Sequence, residues 1–329
     1  MKKIVITGGA GFIGSHIVEK FADLYPQAQI VVLDKMTYAA DIRNIDDLVR
    51  SNRVHLVVGD ICDMATCLRV VDDADLVIHA AAESHVDNSF SSSMEFTRTN
   101  TLGTHCLMEA CRVSEVPKII HVSTDEVYGE IREGSVDETT NLNPTNPYSA
   151  SKAAAEMIIS GYRQSFKLPV VTLRANNIFG IRQFPEKIIP RFIMLVMTGQ
   201  KLTIHGTGEY SRHYLSAHDL TNALHVLVTK GVLGEKYNIG TTEEYTNLTM
   251  AKMICDIFGV PVAENLIHVN DRLFNDARYA INWDKIAGLG WKPQHSLKDE
   301  LGSIARWYAD NHSRYDGFGP LRRRPTINS

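Results

Sequence analysis

The first half of the chain alternates short apolar runs with longer amphipathic stretches. Runs of β-branched and aliphatic residues occupy 2–7, 30–33, 54–58, 76–79, 118–122 and 170–174. Runs of this length without polar alternation predict strands of a parallel sheet, covered on both faces. Helical spacing of apolar residues fills 15–24 and 95–113, and a third helix of strong helix formers, 148–166, follows Asn146-Pro147. Strand and helix in alternation predict an α/β fold, a doubly wound parallel sheet completed within residues 1–175. Beyond it the elements shorten and are broken by Gly and Pro. We read 176–312 as a smaller mixed α/β domain with some segments returning to the first, and 313–329, with Arg322-Arg323-Arg324, as a solvated, poorly ordered tail.

The first strand runs directly into Gly8-Gly9-Ala10-Gly11-Phe12-Ile13-Gly14. Glycines three apart between a strand and a helix form a variant of the Rossmann dinucleotide fingerprint. Gly8 permits the tight turn, Gly11 lets the backbone approach a pyrophosphate, and Gly14 lets the helix pack on the strand. The helix amino terminus then faces the phosphates. The second strand ends at Asp34, placed to bind the adenosine ribose hydroxyls and to repel a 2′-phosphate, so NAD is favoured over NADP, with the cation of Lys35 adjacent. Alanines 80–82 at the end of the fourth strand leave room for a cofactor against backbone, and equally suit plain tight packing.

The densest chemistry follows the fifth strand, in Ser123-Thr124-Asp125-Glu126-Val127-Tyr128. Open α/β sheets bind ligands at that carboxyl end. Downstream, Tyr148 and Lys152 fall four apart on one helical face. A tyrosine with a reference pKa of about 10 is a poor base at neutral pH unless its anion is stabilised, which an ammonium one turn away would do. Tyr-x-x-x-Lys alone more often marks a core tyrosine beside a solvated lysine. The acidic strand end and the glycine fingerprint turn that reading around. Arg212 and Arg272, in polar loops of the second half, are candidates for gripping a diphosphate.

Composition narrows the class. A net charge of −4 makes no electrostatic case for nucleic acid, and 44% hydrophobic residues over 329 positions support a large core. Five cysteines (Cys62, Cys67, Cys106, Cys111, Cys255) without Cys-x-x-Cys spacing point to neither a disulfide framework nor a metal site. Without a leader pattern or an uncharged run near the ~20 residues of a membrane span, a cytosolic, soluble protein is the expectation.

Together these residues resemble the extended short-chain dehydrogenases/reductases, and more narrowly the nucleoside-diphosphate-glucose 4,6-dehydratases, over nearly the whole chain. The marks are Asp34-Lys35-Met36-Thr37-Tyr38, Ala81 to Asp87, Ser123 to Gly129, Pro144 to Lys152, Pro185-Glu186-Lys187 and Asp271-Arg272. Thr-Asp-Glu after the fifth strand is the mark that separates the dehydratases from the wider superfamily. The resemblance implies that Tyr148 takes the proton of the glucose 4-hydroxyl, with Lys152 lowering its pKa and holding the nicotinamide ribose, and that Thr124 binds O4. It implies that Glu126 removes the C5 proton while Asp125 protonates the departing C6 hydroxyl. It places Phe12, Ile13, Asp34, Lys35, Met36, Thr37, Asp60, Ile61, Ala80, Ala81, Ala82, Glu83 and Thr99 around NAD. It places Ser84, Asn177, Lys187, Ile188, Thr203, Ile204, His205, Arg212, Asn247, Asp271, Arg272 and Asn275 around the sugar nucleotide, and it implies a homodimer packed through the helices near 95–113 and 148–166.

The chain departs from the bacterial dTDP-glucose pattern at Gly180-Ile181 and at Asp271-Arg272-Leu273-Phe274-Asn275. That loop is similar to the dehydratase portion of plant rhamnose synthases, which use UDP-glucose, so UDP-glucose is expected over dTDP-glucose. A sugar-nucleotide 4-epimerase shares everything but the acid pair, and a catalytically silent nucleotide-binding protein is the reading from another class.

Overall fold

In the computed structural model, which describes residues 1–270, 276–315 and 317–326, the six apolar runs form β1 (Lys3–Thr7), β2 (Gln29–Asp34), β3 (Val54–Val58), β4 (Leu76–His79), β5 (Ile119–Thr124) and β6 (Val170–Ala175). The second half adds β7 (Asn177–Phe179), β8 (Leu202–His205), β9 (Ser211–Ser216), β10 (Lys236–Ile239), β11 (Glu244–Thr246) and β12 (Leu266–Val269). The main sheet has seven strands in the order β10-β6-β5-β4-β1-β2-β3, all parallel. Its order reverses between β1 and β4, which opens a crevice beyond the strands' carboxyl ends.

Strand alternation divides the core between the two faces. Ile4, Ile6, Ile30, Val32, Leu76, Ile78, Ile120, Val171 and Leu173 pack with Ile17, Val18 and Phe21 of helix Phe12–Leu24 and with Leu220, Leu224 and Leu227 of helix Ala217–Lys230. Val5, Val31, Leu33, Val77, Ile119 and Val170 pack on the other face with Leu107, Met108, Cys111 and Ile159. Those last four come from helices Thr104–Val113 and Pro147–Phe166.

The seventh strand, β10, carries no apolar run and was not expected. It is four residues long and contains the buried Asn238, whose side chain accepts the Tyr128 hydroxyl at 2.8 Å and donates to Val136 and Asn282 carbonyls. A satisfied polar side chain in an edge strand leaves no periodic signal.

A second core gathers Phe179, the apolar helix Ile188–Met197, Ile204, Tyr214, helix Asn247–Phe258 and helix Leu297–Asp310. Two small sheets, β11-β9-β7 and β12-β8, frame it. Among the described residues no helix is long and apolar enough to cross a membrane.

The tail departs from expectation. Phe318 and Leu321 pack against the second core; the Arg322 and Arg323 amides donate to the Met197 carbonyl at 2.8 and 2.9 Å, and Thr326 donates to Ile257. The arginines dominated the sequence reading and concealed the two apolar anchors between them and the last helix. Burying part of each anchor is worth roughly 1 kcal/mol. Deleting 317–329 is therefore expected to lower the thermal unfolding midpoint; an unchanged midpoint in calorimetry would restore the solvated-tail reading.

Candidate active site

The site is built where β5 ends. Thr124 closes the strand and its hydroxyl accepts the Glu126 amide at 3.2 Å, capping the 3₁₀ turn Asp125–Tyr128. Helix Pro147–Phe166 begins beside this turn. Its start is fixed by a capping box in which the Asn146 side chain accepts the Ser149 amide at 2.9 Å and the Ser149 hydroxyl accepts the Asn146 amide at 3.2 Å. With the start fixed, Tyr148 and Lys152 both turn toward β5 and are buried. Tyr148 and Thr124 line the same cavity, and the Lys152 ammonium donates to the Val122 carbonyl at 2.8 Å.

Burial sets the electrostatics. It pulls Lys152 down to about 8, against the raising influence of Glu156. It pushes the Tyr148 phenol above its ordinary value, and the neighbouring Glu126 and Asp125 carboxylates push further, while Thr124 acts the other way. Sequence led us to expect Lys152 to lower that phenol; here the direction is upward, so ionising Tyr148 requires further positive charge in the cavity. Asp125 is pushed up to about 7, first by burial and then by the Glu126 charge, with the bond from Asn176 opposing at 2.7 Å. Burial raises Glu126 too, with Arg212 and Lys187 the opposing cations. Two adjacent carboxyls in a dry site that hinders double ionisation can serve as acid and base at once.

A cavity of about 640 Å³ spans the crevice between the two cores. It is lined by Thr124, Glu126, Tyr148 and Lys152, and by Gly8, Gly11, Phe12, Ile13, Gly14, Asp34, Lys35, Thr37, Asp60, Ile61, Ala80 to Glu83 and Thr99. Ser84, Asn177, Lys187, Ile188, Thr203, Ile204, His205, Arg212 and Asn247 line its other half. Met36 and Asp125 stand outside the lining, Asp125 lying 2% exposed behind Thr124 and Glu126. Asp271, Arg272 and Asn275 lie outside the described residues.

The glycine half fits a dinucleotide. Gly8 has φ +72°, and a Cβ there would sit 2.7 Å from Ala81 Cα; a Cβ on Gly14 would sit 1.9 Å from the Gly8 carbonyl oxygen. At Gly11 a Cβ would meet only that oxygen at 3.4 Å and otherwise occupy open cavity, the space a pyrophosphate takes. Asp34 accepts the Ala10 and Met36 amides at 2.9 and 2.8 Å, which holds its carboxylate at the cavity edge with lone pairs to spare for ribose hydroxyls. Among the described residues no cluster of side chains could hold a metal ion.

The cleft is also tied across. The Tyr38 hydroxyl donates to Glu186 at 2.8 Å, and Lys187 donates to the Ser84 carbonyl at 2.6 Å. Sequence reasoning missed Asn146 and Tyr279 beside Glu126, and Asp276 behind Tyr279. The Asn146 amide and Tyr279 hydroxyl each lie 3.5 Å from its Oε2, and Tyr279 in turn donates to the buried Asp276, which also accepts Thr145 at 2.6 Å. The guanidinium of Arg212 lies 4.6 Å from the centre of the Tyr279 ring. Asn146, directly before Pro147 at a helix start, had a readable capping signal. Asp276 and Tyr279 had none, being brought in by the tertiary fold alone.

Residues 5–303 match the family described as GDP-mannose 4,6 dehydratase. The chain is 45% identical over 333 residues to an Arabidopsis thaliana trifunctional UDP-glucose 4,6-dehydratase/UDP-4-keto-6-deoxy-D-glucose 3,5-epimerase/UDP-4-keto-L-rhamnose-reductase, covering 99% of this chain and 50% of that protein. It thus spans about half the length of these plant relatives. It is 40% identical over 317 residues to the dTDP-D-glucose 4,6-dehydratase of Homo sapiens, covering 94% of this chain and 91% of the other. Among solved structures, the Streptomyces venezuelae dTDP-glucose 4,6-dehydratase DesIV with NAD and TYD bound superposes with a TM-score of 0.93 at 36% identity, covering 96% of this chain and 100% of that one.

The raised pKa of Asp125 has a consequence for stability. An unfolded aspartate titrates near 3.9, whereas the folded one titrates at about 7. Between those values the folded chain holds a proton that the unfolded chain has released, so this group's contribution falls as pH rises through the window and its cost is complete above about pH 7. Asp125→Asn should therefore unfold at a higher temperature than the parent at pH 8 and lose that advantage by pH 4. An equal difference at both pH values would show that the carboxyl ionises normally.

Proposed function

The chain belongs to the GDP-mannose 4,6-dehydratase family, and we propose that it is a nucleoside-diphosphate-glucose 4,6-dehydratase that acts on UDP-glucose or dTDP-glucose, with UDP-glucose preferred. One observation carries the reading: a Tyr148/Lys152 pair and the Thr124-Asp125-Glu126 turn converge at one end of a cavity whose other end fits a dinucleotide.

NAD would be held by Gly8 to Gly14, Asp34, Asp60, Ile61, Ala80 to Glu83, Thr99 and Lys152, and when bound it accepts a hydride from the sugar and later returns it. The chain's own groups move the protons. Tyr148 takes the proton of the 4-hydroxyl while the Thr124 hydroxyl, in the same cavity lining, holds O4. A ketone at C4 acidifies the C5 hydrogen, and Glu126, steadied by the Asn146 amide, removes it. Asp125, neutral for a large fraction of the time near pH 7, supplies the proton that lets the C6 oxygen leave as water. Lys187 and Arg212 supply cations for the diphosphate, and Asn177, Ser84, Ile188, Asn247 and Thr203 to His205 wall the rest of the nucleotide site.

A relative named for UDP-glucose at 45% identity, against 40% for one named for dTDP-glucose, supports uracil over thymine. The bases differ by one methyl, and a pocket separates such groups by about 1–3 kcal/mol, or roughly 10- to 200-fold. Both substrates should therefore lose water, detected by mass, with kcat/KM higher for UDP-glucose. A higher value for dTDP-glucose would overturn the base assignment, and water loss from neither would overturn the dehydratase.

Within that assay Glu126→Gln should lower turnover by about 10²- to 10⁴-fold. It should also abolish solvent deuterium entry at C5 while leaving 4-hydroxyl oxidation intact; Tyr148→Phe should stop oxidation itself. Normal deuterium entry in Glu126→Gln would show that another group is the base. A cytosolic location and a homodimer complete the reading, the dimer supported by Met94, Leu102, Met157 and Phe166 left exposed on helical segments within 93–113 and 147–166. A monomer mass in sedimentation at micromolar concentration would count against the dimer.

A further inference from the structure

Behind the wall of the site lies a buried polar cluster that the proposed chemistry does not use. Glu156, one turn beyond Lys152 on the same helix, accepts Arg174 of β6 through Nε at 3.0 and 3.2 Å and Nη2 at 2.6 Å. Both side chains are buried, Arg174 fully. The Ser123 hydroxyl donates to Glu156 Oε1 at 2.6 Å. Arg174 Nη1 donates to the Tyr128 hydroxyl at 2.6 Å, and Tyr128 donates onward to Asn238 of β10. Ser123 and Tyr128 are the residues on either side of Thr124 to Val127.

The cluster therefore grips the acid-bearing turn at both ends and the base-bearing helix one turn past its lysine. Replacing it with apolar side chains would fill the same space without the desolvation that a buried ion pair costs. What apolar packing would lack is direction. A carboxylate that accepts from a guanidinium fork and a hydroxyl together fixes the helix rotation and its distance from β5, and a misplacement of about 1 Å between catalytic groups costs on the order of 100-fold in rate.

We propose that Glu156 is a positioning residue of the reaction, holding Lys152 and Tyr148 in register with the Thr124-Asp125-Glu126 turn through Ser123 and Arg174, and supplying the fixed negative charge that keeps Lys152 an ammonium. The role in turnover rests on the dehydratase reading; the charge role does not. Lys152 is faced from β5 by His121 and from β4 by His79, both held neutral by burial. From its own helix come Tyr148 and Glu156, with Arg174 behind the latter. Of these groups Glu156 alone is anionic.

Two variants test this in the full chain with NAD added. Ser123→Ala removes one tie and leaves the ion pair. Glu156→Gln combined with Arg174→Gln removes both charges without leaving either buried alone. Positioning predicts that kcat falls at least fivefold in Ser123→Ala and about 100-fold in the double variant, with KM within threefold of the parent in both. The charge role predicts that Lys152 titrates at lower pH in the double variant, read from the pH dependence of its acetylation by acetic anhydride and peptide mass. That measurement needs no turnover, so it still reports if the parent proves inactive on sugar nucleotides. A kcat within twofold of the parent in a folded double variant, or an unmoved Lys152 titration, overturns the proposal. Should the double variant fail to fold, a Ser123→Ala enzyme within twofold of the parent overturns it alone.

Discussion

Burial of ionisable groups at the carboxyl end of β5 is the constraint on which the rest of the structure depends. Asp125, Lys152, Glu156 and Arg174 are each 4% exposed or less, and Tyr148 9%. Removing charge from water is costly unless each group finds a partner or becomes neutral. The chain does both, in separate layers. The layer behind the wall is paired, Glu156 with Arg174, and stays ionic. The layer at the cavity, with Asp125 just behind its wall, is left incompletely paired, so desolvation pushes acids up and the ammonium down until Asp125 at about 7 and Lys152 at about 8 stand near neutrality. One physical cause thus brings an acid and an amine into the range where proton transfer at neutral pH is efficient.

How legible this was in the sequence follows from the kind of signal each part leaves. The six strands read directly because parallel strands buried on both faces require continuous apolar runs. The ends of β5 and β6 shifted by one or two residues because Ser123, Thr124 and Ala175 continue the ladder, paired as Ser123 with Arg174 and Thr124 with Ala175. Gly8 and Gly14 read correctly because backbone contact at 2.7 and 1.9 Å admits no side chain. β10 did not read, because its central residue is a polar side chain satisfied by partners more than a hundred residues away in sequence for Tyr128 and Val136. In sequence Arg174 reads as the last residue of an apolar strand; nothing local distinguishes a fully buried arginine from one at a strand's exposed end. Asp276 and Tyr279 are further cases of the same kind, since only the folded chain brings them to Glu126.

The two halves of the cavity are held by different means, which suits the roles proposed for them. The groups proposed to handle protons stand at the end of β5, on the turn that follows it, and on a helix whose first turn is locked by Asn146 and Ser149, where packing limits their movement. The nucleotide-side groups stand on strand ends and connections of the second core, such as Lys187 before helix Ile188–Met197 and Arg212 on β9. Geometry for chemistry has to be held more tightly than geometry for binding. The contacts from Tyr38 to Glu186 and from Lys187 to Ser84 join these halves at the cavity mouth.

On the proposed dehydratase reading, what separates elimination from simple inversion at C4 is a single turn of chain. Oxidation at C4 needs only Tyr148 and Lys152 beside a dinucleotide. Loss of water needs, in addition, two carboxyls in opposite protonation states, and Asp125 and Glu126 are adjacent in sequence, where an ordinary strand would send their side chains to opposite faces. The 3₁₀ turn capped by Thr124 removes that alternation. Asn176 then draws Asp125 inward while the Asn146 amide holds Glu126 at the cavity. Burial raises both acids and Arg212 opposes it at both, but Asp125 also feels the Glu126 charge, whereas Glu126 has Lys187 as a second opposing cation. Different surroundings give one carboxyl reason to keep its proton and the other reason to lose it, which is the asymmetry that elimination requires.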